Sequence, residues 1–104
     1  MLSNVVATAP GASVVVSATG SSVGGTIDCT GCDVVRVANT SATLHVGVRI
    51  GAGAQTAVLT TDVVIPPLGV AYLPANATIT HVAAIGSGAG PTTVNFAPIR
   101  RGQV

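Results

Sequence analysis

Ionic side chains are nearly missing from this chain. Of 104 residues, 7% are charged, against roughly 25% in an average soluble domain. There is no Lys and no Glu. The full set is Arg36, Arg49, Arg100, Arg101, Asp28, Asp33 and Asp62, with His45 and His81 beside it. Seven charges scattered along the chain make no basic footprint for nucleic acid. Three dispersed Asp and no Glu leave little material for acid–base catalysis, so the chain does not read as an enzyme. Without Lys, a phosphate-binding Walker sequence is excluded. Aromatics are equally scarce: Tyr72, Phe96 and no Trp. Long apolar runs are absent too. The longest, such as Val63-Val64-Ile65-Pro66-Pro67, fall far short of the ~20 residues a membrane-spanning helix needs. Met1-Leu2-Ser3-Asn4 shows no basic stretch leading into an apolar one, so Sec export is not expected.

What is present is Val, Ala, Thr and Gly, with 48% apolar residues overall. Low hydrophobicity with high net charge marks disorder, and this chain has neither. Val and Thr are β-branched and suit pleated surfaces, while 13 Gly and 6 Pro interrupt the chain every few residues. The clearest pattern is Thr43 to Ile50, where Leu44, Val46, Val48 and Ile50 alternate with His45, Gly47 and Arg49. Asp33 to Asn39 alternates as well, with Val35 and Val37 on one face and Val34, Arg36 and Ala38 on the other. Asn39-Thr40-Ser41 lies between them, so 33–50 reads as a hairpin. Thr78 to Ile85 and Thr92 to Phe96 are further strands, and Thr56 to Thr60 is a short candidate.

The expected fold is all-β: a single antiparallel β-sandwich or jelly roll of about 7–9 short strands over residues 13–96. Residues 1–12 read as an extended N-terminal arm and 97–104 as a C-terminal tail carrying Arg100 and Arg101. A core of Val and Ala is weak, because each buried Val contributes only about 1.5–3 kcal/mol. A surface so short of charge also repels its neighbours weakly. Both properties point to a chain that covers much of its exterior with copies of itself or with a larger body.

Few residues suggest chemistry. Cys29-Thr30-Gly31-Cys32 has the CxxC spacing of half a zinc site, a redox pair or a turn disulfide. His45 follows after twelve residues, as in zinc fingers, but Arg49 and Ile50 stand where the second finger His belongs. Cys29, Cys32 and His45 are therefore the metal candidates, set against a simple turn at the sheet rim. Nothing after Cys32 looks helical, which removes the usual means of lowering a thiolate pKa. Tyr72 is the one ring placed to stack on a ligand. Arg100 and Arg101 are candidates to hold a partner's carboxylate or phosphate.

The segment from Asp33 onward resembles a recurrent type of small tailed-bacteriophage virion protein. The resemblance rests on Val35-Arg36-Val37-Ala38-Asn39-Thr40 followed by Leu44-His45-Val46-Gly47-Val48-Arg49-Ile50, and on the turn and strand Pro66-Pro67-Leu68-Gly69-Val70-Ala71-Tyr72-Leu73-Pro74. Thr80-His81-Val82-Ala83-Ala84-Ile85, a Gly/Ser loop and a closing strand complete it. It implies a capsid decoration or cement protein, or a minor head or tail component, made in the host cytoplasm and residing in the virion. The implied partners are the major capsid protein or other virion proteins and sister copies, with a trimer as the expected closed assembly. No cofactor, nucleic acid or membrane is implied. The Cys29 and Cys32 pair is not part of the pattern. From a different class, a small carbohydrate-binding β-sandwich would use Tyr72 as its platform, although such sites usually need more rings than this chain has.

Overall fold

In the computed structural model, the described residues are 5–8, 13–60, 62–88 and 91–103, with 5–8 and 101–103 described by their backbone alone. They form nine strands and no helix. These are β1 (Val5–Thr8), β2 (Val14–Ala18), β3 (Val23–Thr26), β4 (Val34–Asn39), β5 (Val46–Gly51), β6 (Val63–Ile65), β7 (Val70–Pro74), β8 (His81–Gly86) and β9 (Thr92–Gln103). Two antiparallel sheets result. In the first, β9 lies between β4 and β2, with β7 beyond β4; in the second the order is β3-β8-β5-β6.

The pairing is nested. β2 pairs β9, β3 pairs β8, β4 pairs β7 and β5 pairs β6. From β2 to β5, and again from β6 to β9, the chain changes sheet at every step, and only β5 and β6 form a hairpin within one sheet. A long ribbon folded at β5–β6 and rolled up gives this connectivity, which is that of an eight-stranded jelly roll. The expectation of an all-β sandwich is met, and its connectivity is that of a jelly roll.

The expected hairpin over 33–50 does not form, because β4 and β5 lie in different sheets. The reason is Asn39, which the sequence places in a turn and the structure buries at 2% exposure. Its Nδ2 donates to the carbonyls of Leu44 (2.8 Å), Ile65 (3.2 Å) and Pro66 (3.1 Å), and its Oδ1 accepts from Ser41 N–H (3.0 Å). This one amide, carried by a strand of the first sheet, satisfies a carbonyl of the second sheet and the backbone of the loops beside it. A buried amide so placed is costly to lose, and it directs the chain across the sandwich.

A second difference concerns the ends. β9 does not stop at Phe96; it runs to Gln103, with Ala97, Pro98 and Ile99 still paired to β4. Residues 97–103 are therefore strand and not tail. Within the expected arm, Val5–Thr8 pair antiparallel with Arg100–Gln103; residues 1–4, 9–12 and 104 lie outside the described residues. Thr56–Thr60, another strand candidate, is irregular.

The core lies between the sheets. Val16, Val35, Val37, Val94 and Phe96 from the first meet Val46, Val48, Ile65, Val82 and Ala84 from the second. Phe96 is the largest of the fully buried side chains. The lattice is filled mainly by valines, whose stiff χ1 suits interdigitation across a pleat.

Candidate interaction surface

The sandwich has two ends. At one, just before the Cys29 turn, Ile27 N–H donates to Thr80 C=O (2.9 Å) and Thr80 N–H to Gly51 C=O (3.0 Å). At the other, Ser87 N–H donates to His45 C=O (3.0 Å) and Leu68 N–H to Ser41 C=O (2.9 Å). The proposed metal residues are thereby separated. Cys29 and Cys32 form a disulfide with each other, Cα–Cα 5.0 Å, while His45 is exposed at the opposite end. Among the described residues, no three His, Cys, Asp or Glu side chains gather in one place.

The CxxC is a strapped β-turn. Cys32 N–H donates to Cys29 C=O (3.0 Å), and Gly31 has φ 79°. A positive φ at the third turn residue is what glycine supplies without strain. Asp28 Oδ1 accepts from Thr30 N–H (3.0 Å). That bond, with a second one to the Thr30 side chain, lowers the Asp28 pKa below its ordinary value of 3.8. Both cysteine sulfurs are consumed, and their half-cystines are buried.

The two outer faces of the sandwich differ. On the second sheet, the outward residues include Gly24, Gly47 and Ala83, which are small, beside the larger Arg49, Ile85 and Val64. The chain between β5 and β6 folds back over them. A Cβ on Gly47 would stand 3.2 Å from Leu59 Cα. Ala57 N–H reaches Ser22 Oγ (2.9 Å), Arg49 Nη1 reaches Thr56 C=O (3.5 Å), and Asp62 Oδ2 accepts from Val58 N–H (2.7 Å). Ala83 is left at 0% exposure on a face that period-two alternation turns outward. Asp62 also pairs with Arg49 at 3.7 Å. Beside this pair, a cavity of about 310 Å³ opens among Val48, Ile50, Val63, Leu73 and Pro74. Its walls are apolar, its ion pair is internally neutralised, and no nucleophile lines it.

Among the described residues, the first sheet has no such cover. Its outward rows are set by register: Tyr72 opposite Arg36 opposite Ala97, then Val70 opposite Ala38 opposite Asn95 opposite Val15. Directly opposed side chains have Cβ atoms about 5 Å apart. Tyr72 is 60% exposed and Val15 61%. Arg36 lies at the centre, half-buried, and among the described residues its guanidinium has no hydrogen-bond or ion-pair partner. Arg49 has Asp62, and Arg100 is engaged elsewhere.

At the end of β7 stands Leu68. Gly69 N–H donates to Pro66 C=O (2.9 Å), closing a turn in which Leu68 is third and has φ 57°. Glycine normally holds that position. Here the glycine comes one residue later, where a Cβ would meet Pro66 at 2.9 Å. Holding a leucine at positive φ costs roughly 1–2 kcal/mol, yet its side chain is 67% exposed and gains no core burial.

Of the partner-binding candidates, Tyr72 sits on this bare face, and Arg100 is exposed on β9 just past the sheet, across from Thr8. The side chain of Arg101 lies outside the described residues. Arg36 and Leu68 were not singled out from sequence. Alternation separates Arg36 from Val35 and Val37, but only the tertiary structure shows that no described segment covers its face. No protein-family model, curated protein or solved structure matches the chain.

Proposed function

We propose that the chain is a structural protein of a virion, a decoration or cement subunit that stabilises a shell through contacts with the major capsid protein and with sister copies in a trimer. The observation that carries this reading is the uncovered outer face of the first sheet, in a molecule that has covered the other. Apolar residues left contiguous on a surface mark a protein–protein interface. A chain with 7% charged residues gains least from keeping such a face in water. The register adds support. Residues 100–103 and β1 extend past the end of β4 as a two-stranded ribbon, and an isolated ribbon of that kind is marginal in water unless it lies on another surface.

The test is reconstitution. Particles assembled without this protein are mixed with the purified chain, and bound copies and the temperature of shell disruption are measured. Saturable binding at a fixed copy number, with a raised disruption temperature, is the expected result. No binding overturns the reading. The competing module would bind glycans: a glycan-array signal abolished by Tyr72→Ala would replace the structural role with carbohydrate recognition.

A further inference from the structure

We infer that the bare face docks on an unlike protein surface, apolar and bearing a carboxylate opposite Arg36, and that a second copy of this chain is not its occupant. The inference rests on the shell-binding reading and deepens it by assigning one surface to one of the two kinds of partner.

Three features of the face support this. The first is charge. Arg36 is held half-buried among Ala38, Ala97 and Tyr72 with no partner among the described residues. A partly buried Arg without a partner gains most from a carboxylate, which its guanidinium meets through two parallel hydrogen bonds. The second is residue type. Interface residues that dominate affinity are enriched in Tyr and Arg, and the single Tyr of this chain stands directly across from Arg36. The third is Leu68. Its strained turn presents an exposed leucine at the end of the same edge strand, two residues before Val70 and four before Tyr72. Strain retained without any return in burial points to use of the side chain outside the fold.

A second copy does not supply the missing group. Face against face, it would bring Arg36 to Arg36, a like-charge contact that opposes binding. The chain has three carboxylates besides its terminus. Asp62 is bound to Val58 N–H and Arg49, Asp33 is engaged, and Asp28 accepts Thr30 N–H in a polar turn at the sandwich end. Each of the three is already engaged within its own chain. Sister contacts in a trimer would therefore use other surfaces.

The experiment measures binding of four proteins to particles lacking the chain: wild type, Arg36→Glu, Leu68→Gly, and Val64→Ser on the opposite sheet as a control. Arg36→Glu is expected to weaken binding by about 100-fold, the scale for breaking a desolvated charge pair. Leu68→Gly weakens it about 10-fold while leaving Tm equal or higher, a combination that general damage to the fold does not produce. Val64→Ser binds like wild type. Sedimentation equilibrium of the same proteins shows identical oligomeric states. If wild type and Arg36→Glu bind particles equally, the inference fails and the shell-binding reading stands. If Arg36→Glu changes self-association, the occupant is a second copy and the inference fails.

If wild type binds no particle, the shell-binding reading fails and a random dodecapeptide display library decides the surface. Enriched peptides with Asp or Glu flanked by aliphatic residues, shifting the single resonance of 3-fluorotyrosine at position 72 and lost with Arg36→Glu, retain the inference. Peptides without an acid, or no enrichment, overturn it.

Discussion

The outer faces of the two sheets are built from the same alphabet of small and β-branched residues, yet they have opposite fates. On the second sheet, Gly24, Gly47 and Ala83 form a shallow surface, and residues 55–60 lie on it, fastened through Ser22, Arg49 and Asp62. On the first, Val15, Arg36, Val70 and Tyr72 stand up from the sheet and nothing from the described chain lies on them. At Gly47 the missing side chain is what lets the Leu59 backbone approach the sheet. The covered face contributes to the stability of the monomer. The bare face retains apolar area that only another molecule can remove from water.

Matched substitutions test this contrast. Ala83→Arg forces a long cation beneath the 55–60 segment and is expected to destabilise by at least about 3 kcal/mol. Ala97→Arg, the equivalent change on the bare face, is expected to cost under about 0.5 kcal/mol, as ordinary surface changes do. Urea unfolding of both decides the matter; equal losses would break the distinction between the faces. Next in size is Gly47→Val. Leu59 Cα and Ile85 leave no room for the added methyls, and a loss of about 2 kcal/mol is expected, with faster amide exchange in 55–60 than elsewhere. Asp62→Ala removes the acceptor of Val58 N–H and the partner of Arg49, for about 1.5 kcal/mol. Most of that belongs to the hydrogen bond, because the exposed ion pair at 3.7 Å contributes little. Exchange protection at Val58 is the specific readout.

The smallest expected effect lies off both faces, in the strapped turn. Asp28 has its pKa lowered in the folded chain by Thr30 N–H. A carboxylate depressed on folding adds stability above its unfolded pKa, and that stability disappears as pH falls through the lowered value. Asp28→Asn keeps an acceptor for Thr30 but removes this proton linkage. The drop in Tm below about pH 4 should therefore be slightly shallower in the variant, while Gly47→Val, which changes no titratable group, retains the wild-type acid slope.

Much of the architecture was legible from spacing. The alternation in 33–39 and 43–50 marked β4 and β5, and the Gly/Pro punctuation marked most strand ends. The hairpin between those strands was misread because Asn-Thr-Ser is a good turn sequence locally. Its amide instead serves the distant carbonyls of Ile65 and Pro66 along with that of Leu44, and no local pattern displays the two distant acceptors. The tail was misread for a similar reason. Pro98 and Arg100-Arg101 look like the end of ordered chain, but β4 and β1 supply ladder partners to Ile99 and to the residues after it. Tyr72 was visible as a lone ring. Arg36 passed as one more outward residue, and Leu68 as part of a Pro-Gly turn.

Composition and period-two alternation determined by themselves that this chain is all-β, poorly charged and dependent on small side chains for its core, because those properties are local and additive along the sequence. Sheet order, the cover over one face and the isolation of Arg36 were decided only by the tertiary structure. They depend on which distant backbone groups meet, and an outward side chain reads the same in sequence whether water or another segment lies above it.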